Sequence, residues 1–296
     1  MTPRRLLPLV LLLLLPASAH AGGAPIGSQT AGPKGIVEAG GDARLAALPT
    51  PRGTVVTRSQ IDGGRVLRAA VLPGFFGVPV VAYDATAGGL SADGSTLVLT
   101  SPLAHRRSTF AVVDARRFEL RRTIKLRGVW GFDAISPDAS TLYLIQTSVR
   151  NLSRYAVRAY DLRAGRLLPQ AVVDPSEPEE PMRGLPVTRV TGPGGRWEYT
   201  LYAGGEHPFI HALDTVRRTS ICIDLPKRIG RASWIWKARL ALRGGTVKVF
   251  HAEQVAASAP VLPQQASAGG GPPWAVALLA LAGLMVAVGV RRAARR

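Results

Sequence analysis

The side chains best suited to chemistry in this sequence are arginines set in short polar stretches between apolar segments. Arg106 and Arg107 follow His105, Arg150 and Arg154 bracket Asn151-Leu152-Ser153, Arg228 and Arg231 follow Lys227, and Arg243 precedes Gly244-Gly245. A guanidinium is a planar fork of N–H donors that pairs bidentately with carboxylate or phosphate. These positions therefore predict recognition of an anion, against the ordinary alternative of solvated loop tips. Trp130 and His207 fall in stretches of the same kind and would add an aromatic and an imidazole edge to that surface. Catalysis and metal binding find less support. His207 and His211 are four apart, about 13 Å along an extended strand, too far to share one ion. Glu177, Glu179 and Glu180 sit in the Pro-rich stretch 174–181, which lacks the alternating oxygens and turn glycine of a calcium loop. No Ser-His-Asp set or nucleophile elbow is present. We therefore assign no catalytic residue, no metal ligand and no cofactor. The one cysteine, Cys222 in Ser220-Ile221-Cys222-Ile223, reads as a buried thiol, and it rules out an internal disulfide.

What must position these residues is a repeat. Phe132 to Ile145 reads as an apolar strand, a Ser136-Pro137-Asp138 turn and a second apolar strand. The turn and following strand recur at Ala39, Ser91, Ser136 and Thr191, and more weakly at Trp234, with spacings of 52, 45, 55 and 43 residues. After each comes an alternating strand that ends in Asp, as in Phe110–Asp114, Tyr155–Asp161 and Phe209–Asp214, or in His251 in the last copy. A short turn and a further strand follow: Val66–Leu72, Leu120–Leu126, Leu167–Val173, Thr219–Leu225 and Val255–Leu262. Units of 40 to 55 residues with only strand-like content predict an all-β chain, a β-propeller of about five four-stranded blades over residues 35–262.

The blocks Phe132–Ile145 with Tyr155–Asp161, and Tyr199–Asp214 with Thr219–Pro226, resemble bacterial YVTN and WD40-like β-propeller repeats. No Gly-His opens a unit and no Trp-Asp closes a third strand, as they do in WD40 repeats proper. The resemblance implies that loops joining second to third strands, and one blade to the next, share one face. Arg106, Arg107, Arg150, Arg154, His207 and Arg243 would then meet Trp130, Arg228 and Arg231 as a ligand-binding face.

The ends of the chain predict location. Arg4-Arg5, the apolar run Leu6–Leu15 and the small residues Ala19 and Ala21 form the three parts of a signal peptide, residues 1–21. A flexible leader, 22–34, follows. Residues 263–273 are a Gly/Pro-rich stalk. The uncharged run 274–290 would span about 25 Å as a helix, and the basic tail 291–296 would hold its C-terminal end in the cytoplasm. The expected location is the cell membrane, single-pass, with the N-terminal domain outside. The chain carries 37 Lys+Arg and 19 Asp+Glu. Setting aside two arginines in the signal and four in the tail leaves the exported part at about +12, which favours anionic polymers or lipid head groups. The expected role is a membrane-tethered scaffold binding a protein or an anionic surface polymer, with no nucleic acid partner. The alternative is an exported propeller enzyme acting on a sugar or lactone.

Overall fold

The computed structural model describes residues 29–102, 107–148, 155–179, 182–203, 207–230 and 233–263. The predicted signal peptide, stalk, apolar run and basic tail lie outside the described residues. Among the described residues no helix is long and apolar enough to cross a membrane. The leader gives way to structure before residue 34: Thr30 bridges Pro79, and Gly32–Lys34 form a 3-10 turn.

Among the described residues, eighteen strands form five antiparallel sheets in chain order. The first holds β1 (Ile36–Val37), β2 (Ala43–Thr50), β3 (Gly53–Gln60) and β4 (Val66–Leu72). The second holds β5 (Thr96–Thr100), β6 (Arg107–Asp114) and β7 (Glu119–Arg127). The third holds β8 (Val129–Ile135), β9 (Thr141–Thr147), β10 (Tyr155–Asp161) and β11 (Arg166–Val172). The fourth holds β12 (Leu185–Thr191), β13 (Trp197–Ala203), β14 (Phe209–Asp214) and β15 (Thr219–Asp224), and the fifth β16 (Arg239–Arg243), β17 (Thr246–His251) and β18 (Gln254–Pro260). Each sheet is a meander packed face to face on the next, the arrangement of propeller blades. Burial grades across a blade: β8 is buried along its whole length, while the outer strands β4, β7 and β11 are mostly exposed.

The repeat is built from two short-range devices. At the turn into the second strand, Ser91 and Ser136 hydroxyls donate to Asp93 and Asp138 at 2.6 and 2.7 Å and accept the Thr96 and Thr141 amides at 3.0 and 2.9 Å. At the end of the third strand, Asp114, Asp161 and Asp214 each accept two amides from the turn that follows. The residue four places after each Asp has positive φ: Phe118 (58°), Gly165 (69°) and Arg218 (62°). These are local bonds between an Asp side chain and its own turn, so the sequence spells them out.

Two blades depart from the predicted four strands. In the second, the inner strand is reduced to isolated bridges, Gly77↔Thr100 and Leu90↔Leu97, because residues 80–87 leave it as an excursion closed by a Val80↔Ala87 bridge. In the fifth, β16 packs beside β12, the inner strand of the fourth sheet, so β16 is itself an inner strand. The repeat at Trp234 is therefore offset by one strand, and the outermost position is the one not filled among the described residues. Ser233–Lys237 forms a 3-10 turn, and the strand that follows it, β16, is the first of its sheet where the other copies place the second.

Ala139 occupies, at φ 53°, the turn position that Gly94 holds at φ 65°. A side chain in this left-handed region is strained. Ala139→Gly should therefore raise the urea unfolding midpoint, adding about 0.5–1 kcal/mol; a lower midpoint would contradict the assignment of this turn.

Candidate functional site

The inner strands set a problem for the backbone. Each presents one edge to the middle of the molecule, where water is scarce and unpaired carbonyls are costly. Two bulges answer it. Pairing of β8 with β9 slips between Phe132 and Ala134, leaving Asp133 as the extra residue, and pairing of β12 with β13 slips between Pro186 and Thr188, leaving Val187. Bulges re-aim side chains and release backbone groups from the ladder. The released Val187 carbonyl accepts the Asp84 amide at 3.1 Å, and the Pro186 carbonyl accepts the Tyr83 amide at 3.0 Å. The excursion from the second blade thus reaches the fourth. Val80, Val81 and Ala82 are buried on the way, and a side chain on Gly88 would strike Val81 and Phe132. Its tip is exposed, with the Tyr83 ring edge-on to Trp236, 6.2 Å between centroids.

The released Asp133 carbonyl accepts from Arg189 Nη1, and the Asp133 carboxylate accepts from Arg189 Nη2. Arg189 Nε donates to Thr200 Oγ1 at 2.7 Å, so all three guanidinium nitrogens are used. Thr200, His211 and Cys222 continue the row across the fourth sheet, each directly opposite the next. Tyr202 lies on the same face and stacks between Tyr155 (6.2 Å) and Phe209 (5.2 Å), with His211 edge-on at 6.1 Å. Tyr155 closes the end of the seam by donating to the Gly184 carbonyl at 3.1 Å. The opposite face of the same sheet, with Tyr199, Leu201, Ile210 and Ala212, is apolar and packs on the fifth blade. One sheet thus carries a polar face toward the third blade and an apolar face toward the fifth.

Arg189, Thr200 and His211 are buried, and Cys222, half-buried, is the point at which the row nears solvent. Its Sγ is 3.9 Å from His211 Nδ1. Burial holds the His211 imidazole down at about 4, against smaller opposing pulls from Asp133 and Asp174. On the same face burial pushes Glu198 up to about 7, against the pull of Arg189. The seam is a latch between blades, too enclosed to receive a substrate at Arg189 or His211.

The residues proposed as a ligand-binding face separate. Arg107, His207 and Arg228 lie at one end of the sheets, at the start of β6, before β14 and after β15. His207 Nδ1 stands 3.3 Å from the Asp224 carboxylate there. Trp130 is 3 % exposed and leaves the face: its Nε1 donates to the Arg127 carbonyl at 2.8 Å. Arg243 also leaves it. With β16 innermost, the Gly244-Gly245 hairpin joins first to second strand, at the end opposite His207, and the Arg243 guanidinium covers the Phe250 ring at 5.0 Å. Arg106, Arg150, Arg154 and Arg231 lie outside the described residues. Asp133 and Arg189 were not singled out from sequence. The signal was an acid in the otherwise apolar inner strand Val129–Ile135 and a base in the next inner strand, Leu185–Thr191.

No protein-family model matches the chain, and no curated protein sequence matches it. Solved structures similar in shape include hydrazine synthase of Kuenenia stuttgartiensis (14 % identity, TM-score 0.46, 77 % of this chain and 58 % of that one). Others are TolB from Acinetobacter baumannii (12 %, 0.40, 64 % and 42 %) and the Cps50 (Swd1) β-propeller domain of Myceliophteria thermophila (12 %, 0.43, 72 % and 60 %). The chain spans 42 to 60 % of the length of these structures.

Two outcomes follow from the seam. Arg189→Met leaves Asp133 buried and uncompensated, and should cost about 3–5 kcal/mol of unfolding free energy; a loss below 1 kcal/mol would show that the pair does not hold the blades. For His211, the unfolded imidazole near 6.5 takes up a proton before the folded one near 4. Its contribution is full above pH 6.5 and is lost as pH falls toward 4. Glu198, raised, runs the other way, so the comparison must be with a variant. His211→Leu should gain on the parent by up to about 3 kcal/mol between pH 7 and pH 4, read by urea unfolding at each pH.

Proposed function

We propose that the chain is an extracytoplasmic binding module, exported by residues 1–21 and held at the membrane by the run 274–290, that docks a protein partner on one end of its propeller. The observation that carries this reading is the excursion 80–87. It reaches from the second blade to the inner strand of the fourth and presents exposed Tyr83 against exposed Trp236. Leu185, 44 % exposed, adjoins Pro186, whose carbonyl holds Tyr83. The short helix α1 (Lys227–Gly230) packs on the turn that carries Trp236 and brings Lys227 and Arg228 to the same neighbourhood. Aromatic rings on a fixed backbone, ringed by basic side chains, have the composition of binding hot spots: large contact area, little rotamer entropy to lose, and a charged rim. Exposure of such rings on a surface otherwise closed is a mark of interaction. The excursion bonded to the inner edge of the fourth blade favours a partner at the blade ends over a sugar or lactone in a central funnel.

A photo-crosslinking residue placed at position 236 or 83 in the cell-expressed full chain should yield a discrete adduct. The same residue at 216, exposed in the turn after β14 at the opposite end, should not. Adducts from 216 alone, or equally from both ends, would refute a partner at the Tyr83–Trp236 end.

A further inference from the structure

A second feature of the same end of the molecule points to a ligand of different chemistry. Arg107 and Arg127 are direct partners across β6 and β7, and Lys125 lies two residues along, opposite Thr109. Directly opposed side chains on an antiparallel pair have Cβ atoms about 4.5–5.5 Å apart, and like charges in that position repel. All three side chains are exposed, and none is within ion-pair distance of a carboxylate among the described residues. The carboxylates of these two strands, Asp114 and Glu119, are at the far end, where Asp114 is engaged by Arg121 at 2.6 Å and by two turn amides.

The repulsion is built into a rigid corner. Trp130 donates its indole N–H to the Arg127 carbonyl, and its own amide donates to Ser108 Oγ at 2.8 Å. Ser108 in turn donates to the Gly128 carbonyl at 3.2 Å. The backbone at Arg127 and Gly128 and the Ser108 side chain are therefore held by buried groups, which keeps the two strands paired at this end. Phe75, 48 % exposed, stands at the same end of the blade, two residues before the Gly77↔Thr100 bridge.

We propose that Arg107, Arg127 and Lys125 form a binding site for a phosphate group. Two guanidinium forks and an ammonium on one edge match its tetrahedral oxygens, and the bound anion converts a repulsive pair into a bridged one. The site costs the free protein some stability and returns it on binding, a trade common at functional sites.

The test uses the full-length protein in non-ionic detergent at low ionic strength, where surface charges are least screened. Inorganic phosphate is titrated while the thermal midpoint and the binding isotherm are followed. Phosphate should raise the midpoint of the parent. Arg127→Ser should melt at the same or a higher temperature than the parent without phosphate, and bind phosphate at least about tenfold more weakly, the loss of one charge-assisted contact. Arg163→Ser, at the opposite end, should bind as the parent does. Short-chain phosphatidylglycerol in the same detergent identifies the source: displacement of phosphate assigns the site to a lipid head group, with Phe75 beside the acyl chains, and failure to displace assigns it to free phosphate. Equal phosphate affinity in the parent, Arg127→Ser and Arg163→Ser would overturn the proposal. So would a lower midpoint for Arg127→Ser without phosphate, since the pair would then be structural.

Discussion

The structure depends on how the inner edges of its blades are satisfied. A propeller blade pairs its strands outward and leaves the innermost one with half its hydrogen-bonding groups facing the centre. This chain meets the constraint with two bulges and two reaching groups. The Val187 carbonyl is taken by the excursion from the second blade, and the Asp133 carbonyl by a guanidinium from the fourth. Each bond joins blades that are not hydrogen-bonded as sheets. The first ties the second blade to the fourth, and the second latches the third to the fourth.

The ties explain the uneven character of the interfaces. Between first and second blades, and between fourth and fifth, the contact is apolar: Leu45, Val56, Leu97 and Leu99 in one case, Leu201, Ile210, Val247 and Val249 in the other. Between third and fourth an apolar patch, Ala134, Val157 and Val172 with Leu213, is joined by a polar row, with Arg189 against Asp133 and His211 behind. Apolar packing supplies stability but tolerates sliding, whereas a three-pronged guanidinium accepts one alignment. The end of the blades that carries Tyr83 also carries Trp236 and the Arg107–Arg127 corner.

How much of this the sequence disclosed follows the range of the interactions. The Ser-x-Asp turns and strand-end aspartates bond residues two to five apart, so they appear as motifs, and the outer strands after them were placed to within a residue or two. The excursion 80–87 has no such signature. Its partners Pro186 and Val187 lie about a hundred residues away, and no local motif marks them. Asp133 was read as part of the turn unit because a bulge is a property of the pairing and not of the strand alone. The fifth copy, starting at Trp234, matches turn and strand as the others do, but its strand β16 is the first of its sheet and not the second, a difference set by long-range packing on β12. Trp130, expected to line a binding face, is instead the buried support beneath Arg127.

The excursion joins the second blade to the fourth through the Tyr83 and Asp84 amides. Amide hydrogen exchange at Tyr83 and Asp84 tests it most directly. Both residues sit at an exposed tip, where a free loop would exchange almost at once. The account predicts that their amides exchange as slowly as those of Thr188 and Arg189 in β12, because they are bonded to the neighbouring carbonyls of that strand. Unprotected Tyr83 and Asp84 amides beside a protected β12 would contradict it.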